Sequence, residues 1–191
     1  MSSIEITADS ATAGLTGDYT LDPAHTRLGF VARHAMVTRV RGQFTDFDGT
    51  IHIDAEDPAK STAAVTVRTA SVGTGQEQRD QHLRSADFFE PERFPEMTFH
   101  STGAEEIDTA HYRLTGDLTI KGVTKPVTLD LEFTGSATDP FGNLRTGFEG
   151  RAVVNRKDWG LTWNAVLEAG GVLVSDKITI EIDVSAIKAV A

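Results

Sequence analysis

The stretch PVTLDLEFTG, residues 126–135, places an apolar side chain at every second position. Val127, Leu129, Leu131 and Phe133 would share one face of a β-strand, because successive side chains of a strand point to opposite faces. Residues 177–187, KITIEIDVSAI, repeat the pattern. One apolar and one polar face are typical of an antiparallel sheet with a core on one side and water on the other.

Strand patterns extend over most of the chain. They recur in residues 43–54, 61–70 and 111–120, and the first of these slips by one position near Asp46, which predicts a bulge or bend. Glycine- and proline-containing links at 120–126 and 139–143 predict tight turns. We count about eight strands without an internal repeat, a number and spacing typical of a β-sandwich or barrel.

Residues 74–95, TGQEQRDQHLRSADFFEPERFP, interrupt the strands. Thr74 and Glu77 have the spacing of a capping box, which predicts a short polar surface helix to about Arg84, anchored by Leu83. Ser85 can cap a second short turn. In a barrel, such a segment would cover one mouth and place three aromatic residues beside the strands: Phe88, Phe89 and Phe94.

Length and composition limit the class of protein. The 191 residues suit one domain, and we predict a mobile leader at 1–16 followed by a single barrel domain at 17–191. A net charge of −10 argues against nucleic acid as a partner. No stretch has the apolar length of a spanning helix, and the N-terminus lacks the basic start and apolar run of a signal peptide, so we expect a cytoplasmic location.

The sequence offers little support for catalysis or metal binding. Without cysteine, thiol catalysis and thiolate ligation are excluded. The six histidines are scattered without metal-ligand spacing, and the G-x-S-x-G and phosphate-loop motifs are absent. We therefore predict no catalytic residue, no metal site and no cofactor.

Residues 23–45 are basic in an acidic chain. They contain Arg27, Arg33, Arg39, Arg41, His25 and His34, and no acidic residue. Two interpretations stay open: a site for an anion or polar head group near one end of the barrel, or a solvated outer face and rim. Alternation directs Arg27 and Arg33 outward and His34 inward, where it is either a hydrogen-bonded core histidine or a ligand contact.

Residues 155–176 combine aromatic and charged side chains. Trp159, Leu161 and Trp163 would share a face, and Arg156 has a candidate ion-pair partner in Asp158. A structural interpretation, a strand end followed by a loop with a helical turn near 166–169, is favoured over an aromatic gate beside a cation.

Four segments in order resemble the signatures of the YceI family of lipid- or polyisoprenoid-binding proteins. They are LDPAHTRLGFVARHAM with RGQFTDFDGTI, DQHLRSADFFEPERFPEMTF, LTGDLTIKGVTKPVTLDLEFTG, and GFEGRAVVNRKDWGLTWN. The resemblance covers residues 18 to 188 approximately, with Trp159 where the family often has phenylalanine and Thr26 where it often has serine. It implies an all-β, eight-stranded antiparallel, lipocalin-like barrel that holds an elongated apolar ligand in its lumen, and homodimers are frequent among its members. The matching positions are His25, Phe30, His34, Phe44, His82, Phe88, Phe89, Leu118, Arg156 and Trp159.

We therefore predict non-enzymatic binding, carriage or sequestration of a polyisoprenoid, isoprenoid quinone or similar long-chain lipid. One alternative is a lipid-modifying isomerase or hydrolase with His34 as base. Another is a stress-related interaction protein whose barrel is filled by Phe30, Phe44, Trp159 and Trp163. The predicted ligand contacts are Leu28, Phe30, Ala32, His34, Met36, Phe44, Phe88, Phe89, Leu118, Arg156 and Trp159.

Overall fold

The computed structural model describes residues 14–190, which form one antiparallel sheet closed on itself. The strands are β1 (Gly17–Leu21), β2 (Arg27–His34), β3 (Thr38–Phe44), β4 (Phe47–Ile53), β5 (Thr62–Arg68), β6 (Val72–Gly73), β7 (Glu96–Glu106), β8 (His111–Ile120), β9 (Val123–Thr138), β10 (Leu144–Asn155) and β11 (Lys177–Lys188). Helix α1 (Glu77–Leu83) and three 3-10 turns, Pro58–Lys60, Thr69–Ser71 and Arg156–Trp159, complete the described elements.

The eleven strands occupy eight positions around the barrel, as the sequence predicts. Around the ring the order is β1, β4, β5, β7, β8, β9, β10 and β11, and β11 closes the ring by pairing with β1. Strand β11 also pairs with β2, at positions nearer to its own start. Leu21 of β1 lies opposite Ala186, and Leu28 of β2 lies opposite Ile182 of the same strand β11. Strands β1 and β2 are thus one interrupted strand, and β3 with β4 and β5 with β6 are interrupted in the same way.

The interruption between β3 and β4 falls at residues 45–46, which confirms the break predicted near Asp46. Beyond this interruption, the β2–β3 hairpin pairs with β11 on one side and with β6 on the other, and it lengthens that side of the barrel. Three links meet at that end: the hairpin turn 35–37, the excursion 74–95 and the loop 156–176. We call this end the mouth.

The opposite end is packed. Tyr19 is 1% exposed and Ala186 is fully buried, and they form a core cluster with Leu21 and Phe47. The Tyr19 hydroxyl donates to the carbonyl of Leu15, itself buried, at 2.7 Å. Leu15 is thus packed against the barrel although it falls in the predicted leader at 1–16, of which residues 1–13 lie outside the described residues.

The excursion covers the mouth as predicted, but its helix begins differently. Thr74 does not cap the helix: its N–H and hydroxyl both donate to the carboxylate of Asp80, and the N-cap residue is Gln76. Because the Asp80 carboxylate is buried in the first turn, it needs hydrogen-bond donors. Thr74 supplies two of them, and its hydroxyl is therefore not available to cap the helix. Leu83 packs against the core cluster and anchors the otherwise polar helix, as expected.

The loop 156–176 also departs from the sequence interpretation. The expected strand end is present, because β10 ends at Asn155, and a 3-10 turn at Arg156–Trp159 follows it. Residues 166–172, however, form a small hairpin instead of the expected helical turn. The N–H of Gly170 donates to the carbonyl of Leu167 at 3.0 Å, and Val166 lies opposite Val172. Gly170 and Gly171 adopt φ of 87° and 89°, a region that glycine occupies without strain and that stops a helix here. None of the helices in residues 14–190 has the length and apolarity that crossing a membrane requires.

Candidate ligand-binding cavity

The mouth half of the barrel encloses a cavity of about 860 Å³. This volume lies in the upper part of the range of small-molecule sites. The barrel is therefore hollow in this half and is not the filled barrel of the second alternative. All but one of the predicted ligand contacts line it, namely Leu28, Phe30, Ala32, His34, Phe44, Phe88, Phe89, Leu118, Arg156 and Trp159.

Met36 is the exception, and its predicted place in the lumen is wrong. The alternation of β2 ends at His34, which pairs with Thr38, and the turn that follows gives Met36 a φ of 62°. This turn breaks the period of two and directs Met36 outward, where it is 64% exposed.

Two aromatic rings lie against the wall and not across the lumen. Phe30 lies opposite Gly42, and a side chain on Gly42 would overlap the Phe30 ring. The ring of Phe99 covers Gly116 in the same manner on the other side of the barrel. Because glycine has no side chain, each ring lies flat and the centre of the barrel stays open.

Apolar side chains from facing strands form the rest of the wall. They include Val65, Val67, Met97, Ile120, Val127, Leu129, Val154, Ile178, Ile180 and Ile182. These are inward positions of alternating strands, which sequence periodicity identifies as core but cannot assign to a cavity.

His34 lies at the mouth, on the exposed end of β2. Its side chain has no hydrogen-bond partner among residues 14–190, so it is not the satisfied core histidine considered above. A general base must lie within hydrogen-bond reach of the substrate proton that it removes, and it is usually oriented by another group. The described residues show His34 available to a ligand, without such an orienting side chain.

Arg156 is a structural cation at the cavity wall. Its side chain is 4% exposed; Nε donates to the Ser175 carbonyl at 2.9 Å, and Nη1 donates to the carbonyls of Leu161 and Trp163 at 2.6 and 2.9 Å. Asp176 lies at 3.8 Å, so the predicted pairing with Asp158 is wrong. Burial lowers the pKa of the Arg156 guanidinium, which Asp176 partly opposes.

Aromatic contacts connect the excursion to the loop above the cavity. The Trp163 ring contacts His82 edge-to-face at a centroid distance of 4.4 Å and Phe88 at 5.7 Å. His82 also bonds the Asp87 carboxylate, Nε2 to Oδ2, at 2.9 Å. Trp163 and His82 therefore form the aromatic part of the mouth, whereas Trp159 is buried in the wall and donates from Nε1 to the Leu118 carbonyl at 2.9 Å. The signatures contain both His82 and Trp163, but only Trp159 was predicted as a ligand contact.

The arginines of the basic segment separate into paired and unpaired groups. Arg41 forms an ion pair with Glu181 at 2.8 Å on the outer surface. Arg33 and Arg39 lie directly opposite each other next to the mouth, and in the part of the chain that the structure describes neither has a carboxylate within 4 Å. Arg79, on α1, is held at the cavity by its Nε, which donates to the Thr74 hydroxyl at 2.6 Å. Across residues 14–190, His, Asp and Glu side chains form no group of three that could hold a metal ion.

Comparison with known proteins identifies relatives along nearly the whole barrel. The model of the YceI-like domain matches residues 19–186. Protein YceI of Escherichia coli O157:H7 is 40% identical over 154 residues, which cover 80% of this chain and 80% of that protein.

Solved structures show the same barrel. A Campylobacter jejuni YceI protein superposes with a TM-score of 0.71 at 36% identity, covering 90% of this chain and 98% of that chain. A polyisoprenoid binding domain from Saccharophagus degradans, implicated in plant cell wall breakdown, gives a TM-score of 0.66 over the same shares at 15% identity, a similarity of fold. The family match, the 40% identity and the shared barrel together show that this chain belongs to the YceI-like family.

Proposed function

We propose that the barrel binds, carries or sequesters an elongated apolar lipid, a polyisoprenoid, isoprenoid quinone or similar compound, without chemical change to it. The observation that supports this is the cavity of about 860 Å³ with an apolar wall and polar groups gathered at its mouth. The barrel shared with a protein described as a polyisoprenoid binding domain adds support for the ligand class.

Energetics favour a long ligand. Burial of one CH₂ group contributes about 0.8 kcal/mol, so a five-carbon isoprene unit contributes roughly 3–4 kcal/mol. Association costs about 4–15 kcal/mol in lost translational and rotational freedom. Several isoprene units must therefore be buried before binding becomes micromolar, and a short polar molecule would not reach that affinity on this wall.

The distribution of polar groups orients the ligand. The closed end is filled by Tyr19 and its neighbours, whereas His34, Gln78 and Arg79 line the cavity at the mouth. The apolar tail would enter first, and the polar end of the lipid would meet these side chains. Because His34 lacks an orienting partner among the described residues, we propose binding and not catalysis as its role.

Three further expectations accompany this proposal and stay predictions: a cytoplasmic location, a homodimer, and no binding of nucleic acid. Cell fractionation, light scattering and nucleic-acid titration test them in turn.

A chain-length series tests the proposal. Tryptophan emission of the purified protein is titrated with geraniol, farnesol and solanesol, polyprenols of increasing length. Affinity should rise steeply from geraniol to farnesol and onward until the cavity is full, because each added unit buries further apolar surface. Native mass spectrometry of the same samples should show one lipid per chain.

Two tryptophan substitutions provide the matched comparison. Ala32→Trp adds a large side chain inside the lumen, whereas Val153→Trp adds the same group on the exposed outer face, where Val153 is 56% exposed. The lumen variant should lose solanesol binding and the outer variant should keep it. Equal binding by both folded variants, or no dependence on chain length, would contradict a lumen site.

A further inference from the structure

Two loops at the mouth present apolar side chains to solvent. Met36 and Val37, at the tip of the β2–β3 hairpin, are 64% and 76% exposed, and Val166, in the loop 156–176, is 86% exposed. Exposed apolar side chains that occur singly need no explanation, but neighbouring ones mark interaction sites.

The two loops form a continuous surface. The N–H of Ala35 donates to the Leu173 carbonyl at 2.8 Å, and the N–H of Ser175 donates to the Arg33 carbonyl at 3.0 Å. Met36 lies over Gly171, where an added side chain would displace the end of the Met36 side chain. We call residues 33–39 and 164–174 together the rim.

The hairpin tip holds its apolar residues in an unfavourable conformation. Ala35 and Met36 are the central residues of a turn in which the N–H of Val37 donates to the His34 carbonyl at 3.1 Å. Their φ values are 50° and 62°, in the left-handed region that Asn and Gly occupy with little strain. Residues with a side chain adopt this region at a cost and mostly where function requires it. The tip therefore combines a strained backbone with apolar side chains that are mostly exposed, a combination that fits an interaction surface.

The hairpin part of the rim, residues 33–39, carries positive charges and no acidic residue. Arg33 and Arg39 lie directly opposite each other in β2 and β3, an arrangement that destabilises a strand pair, and Arg33 also borders the cavity. Residues 23–45 contain no acid although the chain has a net charge of −10, and Glu168 is the one acidic residue of the rim. Such a basic and apolar surface is complementary to an anionic layer with hydrocarbon beneath it.

We propose that the rim docks on the surface of an anionic lipid bilayer. Arg33 and Arg39 would contact lipid phosphates while Met36, Val37 and Val166 enter the interface between head groups and acyl chains. The negative charge of the rest of the chain would be repelled, so the protein would dock with the mouth toward the bilayer. This inference rests on the proposed function, because the bilayer would be the source or acceptor of the lipid in the cavity.

Vesicle flotation of the purified full chain tests the proposal. Wild type and variants are mixed with phosphatidylcholine vesicles, with or without equimolar phosphatidylglycerol, at low and high salt. Wild type should bind the anionic vesicles in low salt and be released by high salt. R33Q/R39Q should weaken binding by about fivefold for each arginine, and M36S/V37S by about tenfold or more.

Matched controls lie elsewhere on the barrel. R113Q/R151Q removes the same charge from exposed outer positions, and Phe141→Ser removes an apolar side chain that is 88% exposed at the closed end. Both controls should bind anionic vesicles like wild type. M36S/V37S should also keep its solanesol affinity, since neither residue lines the cavity.

Failure of docking and failure of lumen binding give different results. No flotation of folded wild type, or equal losses in rim and control variants, would overturn the docking proposal even if solanesol binds. Rim-dependent capture of a protein in the absence of vesicle binding would overturn it too. Rim-dependent flotation without solanesol binding would support docking and contradict the proposed function.

Discussion

The two ends of this barrel are built differently from strands of the same pattern. At the closed end, Tyr19 and Ala186 are almost without solvent contact, and ion pairs tie the surrounding turns together. At the mouth, equally apolar inward positions line an open lumen, and a strained hairpin and a long loop replace short turns. The difference indicates that the closed end supplies packing stability, while the mouth half leaves the space that the proposed function requires.

Truncation of one leucine at each end tests this division and has the largest expected effect. Leu21→Ala should lower the free energy of unfolding by about 3–5 kcal/mol, because it opens a hole in packed surroundings. Leu118→Ala should cost about 1–2 kcal/mol, because Leu118 already faces the cavity and loses fewer contacts.

Urea unfolding of both variants measures the two values. Equal losses would show that the mouth half is packed as tightly as the closed end, and would remove the distinction drawn above.

Removal of the Arg156 guanidinium comes next in size. Arg156→Met keeps the apolar stem of the side chain but leaves the carbonyls of Leu161, Trp163 and Ser175 without their donor. We expect a loss of about 2–4 kcal/mol, with faster amide exchange confined to the loop 156–176. Hydrogen exchange followed by mass spectrometry separates this local loosening from global unfolding. Unchanged exchange in the loop would mean that Arg156 does not hold it.

Relief of backbone strain at the hairpin tip should raise the stability of the protein, whereas the substitutions above lower it. Replacing Ala35 and Met36 by Asn and Gly places residues suited to positive φ in the turn, so stability should rise by about 1 kcal/mol. Thermal unfolding measures the gain, with Phe141→Ser as a surface control. A loss of stability would show that the side chains of the tip contribute to folding and are not retained at a cost.

The contribution of the closed end to stability should depend on pH only under acidic conditions, where two of its carboxylates become protonated. Arg145 donates to both Asp22 and Asp139, at 2.6 and 2.8 Å, and these bonds lower the pKa of each carboxyl to about 2. A lowered folded-state pKa stabilises the protein above the unfolded value near 3.8, and this stability is lost as pH falls toward 2.

Unfolding at stepwise lower pH checks the expectation. Asp22→Asn with Asp139→Asn should flatten the decline of stability between pH 4 and 2 that wild type shows. A wild-type curve that is flat over this interval would contradict the ion-pair account of the closed end.

The sequence predicted the barrel because alternation is a property of single strands. The eight positions, the break near Asp46 and the inward set from Leu28 to Trp159 all follow from period-two patterns and the family signatures. Where the chain leaves the strands, that period no longer applies, and Met36 was misplaced one turn beyond the end of β2.

Other properties of the site depend on individual side-chain contacts, which periodicity cannot reveal. The guanidinium of Arg156 donates to carbonyls of the loop that follows it and is therefore not free for a ligand. The Thr74 hydroxyl donates to the Asp80 carboxylate and does not cap the helix as expected. The openness of the lumen depends on Phe30 over Gly42 and Phe99 over Gly116, pairs that are recognisable only once the register is known.

A crystal structure of the protein grown with solanesol tests the central claim most directly. We predict a continuous apolar chain inside the barrel, in contact with Phe30, Leu129 and Ile180, with its hydroxyl at the mouth near His34. A lumen filled by rearranged side chains, or solanesol bound only outside the barrel, would contradict the proposed function.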